Sequence, residues 1–277
     1  MILGAVLLFL AAVVLWGVWE NQALVLTSYM VSHKDLPSAF SGYKIAQVSD
    51  LHNVEMGKEN EKLLTMLENA KPDMIAITGD MIDSRRTDVE IALQFAQKAM
   101  KIAPCYYVPG NHESRLSKSD YQAFEDGLIS LGVQVLHDRE IIIKRAGEQI
   151  SLVGINDPDF AKKYGGVATD MNPIKLAGLC SAETFTVLLS HRPEHFLNYA
   201  MADVDLVLTG HAHGGQIRLP WLGGLIAPHQ GLFPKYDSEL FTEGNTNMIV
   251  SRGIGNSVFP LRYNNRPELI LITLQNE

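Results

Sequence analysis

Apolar positions follow three different rhythms along this chain. Residues 2–19, ILGAVLLFLAAVVLWGVW, are an unbroken apolar run without a charge. From residue 43 to about 132, short branched-apolar runs alternate with stretches of helical period. YKIAQVSD (43–50), DMIAITGD (73–80) and CYYVPGNHE (105–113) predict buried strands, the last running into a loop. KENEKLLTMLENA (58–70) predicts a helix with Leu63, Leu64 and Leu67 on one face, ended by Pro72. TDVEIALQFAQKAM (87–100) predicts a second helix, with Ala92, Phe95, Ala96 and Ala99 inward and an N-cap at Thr87 or Asp88. KSDYQAFEDGLISLG (118–132) predicts a third. Alternating strands and helices imply an α/β half with a mainly parallel sheet.

The later half changes rhythm. REIIIKRA and QISLVGIN predict a hairpin around Gly147. TFTVLLSH (184–191), DVDLVLTG (203–210), GQIRL, NMIVSRG (247–253) and ELILITL (268–274) predict further strands, with short helices near 172–180 and 193–201. The simplest account is one domain with two sheets over residues 43–277, preceded by an anchor over 1–20 and a linker and approach segment over 21–42.

The apolar N-terminal run is near the lower length limit for a membrane-spanning helix. Trp16 and Trp19 fall at one end, where interfacial aromatics are common. A cleaved signal peptide is the alternative, but no Lys or Arg precedes the run and no convincing small-x-small cleavage site follows it. The reading is therefore an uncleaved single-pass anchor. The first basic residue, Lys34, lies beyond the span, which leans toward a cytoplasmic main domain.

Composition narrows the function. The chain has 277 residues, 47% hydrophobic and 19% charged, with a formal net charge of −8. That is enough for a substantial core, and the acidic balance without a basic run argues against a nucleic-acid partner. The two cysteines, Cys105 and Cys180, form no CxxC and read as buried free thiols.

Chemistry concentrates where the apolar runs stop. In open α/β sheets, ligands bind beyond the carboxyl ends of strands. Here those ends carry Asp50 and His52 (SDLH), Asp80 and Asp83 (TGDMID), Asn111 and His112 (PGNHE), His191 (LLSH), and His211 and His213 (LTGHAH). Gly210, Gly214 and Gly215 flank that last pair and permit a tight loop. Carboxylates, an amide oxygen and imidazoles without cysteine suit a hydrolytic Mn, Fe or Zn site rather than a structural zinc site. The donors outnumber the needs of one ion. Two ions about 3.5–4 Å apart would use them all, with Asp80 shared.

These blocks resemble the calcineurin-like metallophosphoesterase family: D-x-H at Asp50–His52, G-D-x-x-D at Gly79–Asp83, G-N-H-E at Gly110–Glu113, the lone His191, and G-H-x-H at Gly210–His213. They occur in order from about residue 43 onward. The resemblance implies a four-layer α/β/β/α sandwich of two mixed sheets with a dinuclear site. It implies that Asp50, His52, Asp80 and His213 hold one divalent ion, and that Asp80, Asn111, His191 and His211 hold the other. A hydroxide between the ions would attack phosphorus. It further implies that His112, free of metal, protonates the leaving group, with Asp83 orienting that histidine. Protein phosphatases of the superfamily follow G-D-x-x-D with Arg-Gly. Here Ser84, Arg85 and Arg86 follow, which favours the smaller bacterial-type phosphodiesterases.

The expected activity is a phosphodiesterase or pyrophosphatase acting on a phosphoester. A phosphomonoesterase on the same site and a non-catalytic metal-binding scaffold remain alternatives, although every position of the pattern is filled. Arg85, Arg86 and Arg192 read as solvated surface residues, with a hold on a substrate phosphate as the alternative, and His33, His137, His195 and His229 read as surface or loop residues. LPWLGGLIAPHQGLFPKY (219–236) is unusually apolar for a loop and reads as packing, or as a lip for an acyl chain or a bilayer. A lipid-linked substrate would then suit the anchor. Oligomeric state is not readable from the sequence.

Overall fold

The computed structural model describes residues 2–277 except 167, 169–170, 182 and 257–258. The chain opens with helix α1 (Ile2–Gln22), one turn longer than the apolar run and nearly all exposed. Among the described residues it is the one helix long and apolar enough to cross a membrane. The stretch expected to be a linker contains a nine-residue strand, β1 (Val25–His33). Its outward positions, Leu26, Ser28 and Met30, are exposed and alternate with partly or fully buried ones, as an edge strand with one covered face requires.

The predicted alternation then appears: β2 (Lys44–Val48), α2 (Glu61–Ala70), β3 (Met74–Thr78), α3 (Val89–Ala99), β4 (Cys105–Val108), α4 (Asn111–Arg115), α5 (Lys118–Ser130) and β5 (Gln134–Val135). Asp88 caps α3 by accepting the Glu90 N–H, and the four residues expected inward on that helix are its buried ones. The hairpin follows as β6 (Arg139–Arg145) and β7 (Glu148–Gly154), then α6 (Pro158–Tyr164), α7 (Pro173–Ala177), β8 (Thr186–Leu189), α8 (Phe196–Met201) and β9 (Leu206–Thr209). The GQIRL stretch yields only β10 (Arg218–Leu219). Gln216 has a left-handed backbone (φ 62°) that interrupts any longer strand. Short ribbons β10–β11 (Gly223–Gly224) and β12 (Ile226–Ala227)–β13 (Gly231–Leu232) precede β14 (Glu239–Glu243), β15 (Thr246–Val250) and β16 (Glu268–Asn276).

Twelve strands make two mixed sheets. The first runs β1-β16-β2-β3-β4-β5 and the second β14-β15-β9-β8-β7-β6. Strands β2 to β5 are mutually parallel, as are β7, β8, β9 and β15, while β16 pairs antiparallel with β2. Period-two alternation builds the layers. Ile75 and Ile77 pack toward α2, α3 and α5, while Met74 and Ala76 face the other sheet. On the second sheet Leu206 and Leu208 face inward, and Val207 packs toward α6 to α8. The result is the α/β/β/α sandwich. Cys105 is buried and Cys180 half-buried, and both are free.

Candidate metal centre

The carboxyl ends of β2, β3, β4, β8 and β9 converge, and each delivers one sequence block. Asp50, His52, Asp80, His211 and His213 all have left-handed backbones, with φ between 47° and 65°. Asp and His tolerate that region better than most residues. Strain of this kind turns each side chain sharply off its strand into one small volume. Two glycines make room for it. A Cβ on Gly110 would lie 2.7 Å from the Asp80 nitrogen, and one on Gly79 would lie 2.7 Å from His191 Nδ1.

Seven residues meet there in two overlapping groups. His213 Nε2 lies 3.3 Å from Asp50 Oδ1 and 3.2 Å from His52 Nε2, which is 3.5 Å from Asp80 Oδ2. On the other side of Asp80, its Oδ2 lies 3.3 Å from His191 Nε2. His191 Nε2 is also 3.2 Å from Asn111 Oδ1 and 3.1 Å from His211 Nδ1. Within each of the sets Asp50, His52, His213 and Asp80, His191, His211, the donor atoms lie within 4.8 Å of one another.

The tautomers show what this cluster needs. His191 Nδ1 donates to Thr78 O at 2.8 Å, and His213 Nδ1 to Gly255 O at 3.3 Å. Both rings then turn Nε2 into the cluster, His191 toward Asp80 Oδ2 and Asn111 Oδ1 and His213 toward Asp50 Oδ1. Such a set fits a cation, and backbone-anchored imidazoles are the usual outer support of metal ligands. The electrostatics agree. Burial alone would raise Asp80, but His191 and its neighbours hold it well below the usual carboxylate range. Burial lowers the basicity of His191, yet Asp80, Asp50 and Asp157 push it up to about 10. Asp50 is pushed up to about 6 by burial, and His52 down to about 3 by the same cause. A cation would stand where His191 now attracts a proton.

Residues without a role in the sequence reading support the cluster. Glu113, fully buried, accepts the N–H groups of Gly110 (2.8 Å), Asp80 (3.0 Å) and Ile82 (3.2 Å), tying the turn after β3 to the start of α4. It also caps that turn, so GNHE forms a short helix instead of the expected loop. Ser49 and the His211 N–H bond the Asp50 carboxylate, and the His112 N–H donates to Asp80 Oδ1 at 2.7 Å.

His112 and Asp83 adjoin the cluster. His112 Nδ1 accepts the Ser84 N–H at 3.1 Å and lies 3.5 Å from Asp83 Oδ1. Asp83 is engaged mainly by Arg85, through Nε at 2.9 Å and NH2 at 3.1 Å, and these contacts take its pKa down to about 2 against the effect of burial. Arg85 is therefore tied to the site, whereas Arg86 is exposed.

Two expected surface residues are buried instead. Arg192 is paired with Asp157 and with Asp159 at 2.9 Å. His33 lies beside Asp205 at 3.4 Å. His229 is exposed as expected, on the turn of the β12–β13 ribbon, yet it reaches the centre: its Nδ1 is 2.6 Å from Arg192 NH1 and 2.9 Å from His211 Nε2. A cleft of about 160 Å³ lies above the cluster, lined by Asp80, Asn111, His211 and His213, by His112, Arg85 and Arg115, and by Pro228 and His229. Its ribbon side was signalled only by the apolar run after the histidine pair.

A two-sheet sandwich with paired carboxylate–imidazole groups at its strand ends defines a dinuclear phosphoesterase architecture. The family model for calcineurin-like phosphoesterases matches residues 43–215, and the chain belongs to that family, whose members are hydrolases of phosphoester bonds with a dinuclear divalent metal centre. It is similar to the metallophosphoesterase YkuE of Bacillus subtilis, with 27% identity over 93% of this chain and 87% of that protein. It is also similar to phosphodiesterase YaeI of Escherichia coli, with 27% identity over 84% of this chain and 82% of that one. Among solved structures, Thermus thermophilus sulfate thiohydrolase SoxB shares the fold at a TM-score of 0.53 and 13% identity, covering 87% of this chain and 57% of that one.

Proposed function

We propose that this protein is a membrane-anchored, dimetal phosphodiesterase. The observation that carries the reading is the convergence of four imidazoles, two carboxylates and one amide oxygen at the strand ends, with His191 Nε2 3.3 Å from Asp80 and 3.2 Å from Asn111, and His52 Nε2 3.2 Å from His213 Nε2. In this reading Asp50, His52, Asp80 and His213 hold one ion, and Asp80, Asn111, His191 and His211 the other. Bound divalent ions supply Lewis acidity toward phosphoryl oxygens and lower the pKa of a water.

The remaining work falls to the chain's own groups. The Ser84 N–H occupies Nδ1 of neutral His112, so the ring carries its proton on Nε2 and offers it to the leaving oxygen. Asp83, 3.5 Å from Nδ1, favours the charged form of that ring, and Arg85 keeps Asp83 ionised. Arg115 and Arg85 on the cleft wall add positive charge beside the phosphate. Thr78 O orients His191 through Nδ1, and His191 Nε2 lies 3.2 Å from Asn111 Oδ1. Diester rather than monoester cleavage is supported by the similarity to phosphodiesterase YaeI.

Helix α1 is the anchor in this reading, a 21-residue helix of about 30 Å whose residues 2–19 are apolar. The catalytic domain stands on the cytoplasmic side, since Lys34 is the first basic residue and follows the span. The test is hydrolysis of bis(p-nitrophenyl) phosphate against p-nitrophenyl phosphate by Mn²⁺-supplied full-length protein beside Asp80→Ala. Faster diester cleavage that vanishes in the variant supports the proposal. Faster monoester cleavage makes the protein a phosphomonoesterase, and activity on neither ester with two ions bound returns the non-catalytic scaffold.

A further inference from the structure

The anchor does not leave the catalytic domain on a free tether. Gly17 sits against Tyr263 so closely that a Cβ would lie 2.9 Å from its ring, and the Trp16 ring meets the same tyrosine edge-on at 5.9 Å. Glu20, buried at the end of α1, accepts the Asn265 N–H at 2.9 Å and pairs with Arg266 at 3.5 Å. Asn21 accepts the Arg262 N–H at 2.9 Å, and the Arg266 guanidinium lies 4.5 Å above the Trp19 ring.

The segment that clamps α1 also clamps the base of the two ribbons. Tyr263 O accepts the Arg218 N–H at 2.9 Å, and Asn265 Nδ2 donates to His213 O at 2.8 Å and Gln216 O at 3.0 Å. Gln216 Nε2 donates to Phe259 O and Leu261 O, both at 3.0 Å. Helix end, ribbon base and the His213 loop are thus one hydrogen-bonded block. Beyond it the ribbons present Trp221, Leu222, Ile226, Leu232 and Phe233, and the clamp adds Phe259, all exposed. Trp221, on the turn between β10 and β11, is fully exposed. The same ribbons carry His229 into the cleft.

We propose that the ribbons over residues 219–233 insert into the membrane leaflet beside the C-terminal end of α1, so that the cleft opens at headgroup level. This rests on α1 being a membrane span. The occupant is a lipid bilayer for two reasons. The patch is fixed by short hydrogen bonds to the helix end that carries Trp16 and Trp19, the aromatic pair suited to the interface. Its apolar side chains also stand singly exposed on narrow two-stranded ribbons, the form of an interfacial wedge rather than a groove for a helix or strand. A phosphoester whose apolar tail stays in the leaflet would reach His229 and the centre without leaving the membrane.

The three tryptophans of the chain divide between the two elements. Full-length Trp16→Phe/Trp19→Phe, reconstituted in nanodiscs, reports Trp221 alone. Full-length Trp221→Phe reports the anchor pair. Replacing the nanodisc phospholipid with its brominated form is expected to quench both proteins at least about twofold. Quenching of the anchor pair with none at Trp221 overturns the ribbon proposal and leaves the anchor standing. Quenching of neither overturns the anchor reading. Should the double variant fail to fold, the difference between wild type and Trp221→Phe in the same nanodiscs measures the same Trp221 quenching.

Discussion

Gly110→Ala offers a sharp test of how the metal centre is held. Gly110 has φ −101° and ψ −170°, an extended conformation that alanine adopts freely. Backbone strain therefore plays no part, and the effect is steric. The added Cβ would lie 2.7 Å from the Asp80 nitrogen and 2.9 Å from its Cγ, and closer still to Oδ1. Relieving the nitrogen contact to ordinary van der Waals separation takes a shift of about 0.7 Å. Asp80 cannot swing aside alone, because its N–H is fixed to Glu113 and its Oδ1 accepts the His112 N–H. Metal ligands tolerate displacements of about 0.2 Å, and a misplacement near 1 Å costs on the order of 10²-fold in rate. Asp80 faces both halves of the cluster, so both ions are affected. The expected outcome is a loss of about 100-fold in diester hydrolysis, with fewer than two equivalents of metal by elemental analysis after gel filtration. Gly178→Ala, whose Cβ would meet only carbonyl oxygens at 3.3 Å or more, should leave rate and metal content unchanged. Full metal content and wild-type rate in Gly110→Ala would refute the argument that Asp80 is shared and rigidly placed.

Other perturbations address the rest of the site. Glu113→Gln keeps one acceptor oxygen but sets an NH2 group against a backbone N–H, a penalty of about 1–3 kcal/mol; a melting temperature lower by about 5 °C is expected, and an unchanged melt would show the carboxylate to be dispensable. His112→Gln should slow alkyl diesters by about 10²-fold or more and nitrophenyl diesters far less, because only a poor leaving group needs the proton; equal losses on both would remove the general-acid role. Chelation should lower the melting temperature and Mn²⁺ restore it, since ions that bind only the folded chain stabilise it by mass action; calorimetry showing no change would count against a bound ion. Burial lowers the basicity of His137, but its bonds to Glu125 (2.5 Å) and Asn156 raise it above 6.5 overall. A raised folded pKa means a stability contribution fully present below pH 6.5 and lost as pH rises through the folded value. Urea titrations from pH 6 to 9 should show that loss in the wild type and not in His137→Phe.

The sequence was most legible where a buried strand stops at a polar cluster. The ends of β2, β3, β4, β8 and β9 are each marked by an apolar run breaking into Asp, Asn or His, and the structure brings those seven side chains into one cluster. Strand β1 was illegible because an edge strand with one exposed face shows Thr, Ser and Met where the parallel strands show Ile and Val. Arg192 was illegible because its burial depends on Asp157, thirty-five residues earlier and at the end of a different strand. His229 was illegible because a ribbon, not a strand end, carries it to His211. Glu113 sat within a quoted motif, but only three dimensions show which N–H groups it accepts.

The placement of β16 has a consequence for how this chain is made. It lies between β1 and β2 in the first sheet, pairing in parallel with one and antiparallel with the other, yet it follows every other element of both sheets in the chain. Until it emerges from the ribosome, β1 has no partner strand. The first sheet can therefore close only after translation of the whole catalytic region, with sequence separations of more than 200 residues bridged in the final step. Nascent chains arrested before residue 268 should expose the edges of β1 and β2 and depend on chaperones.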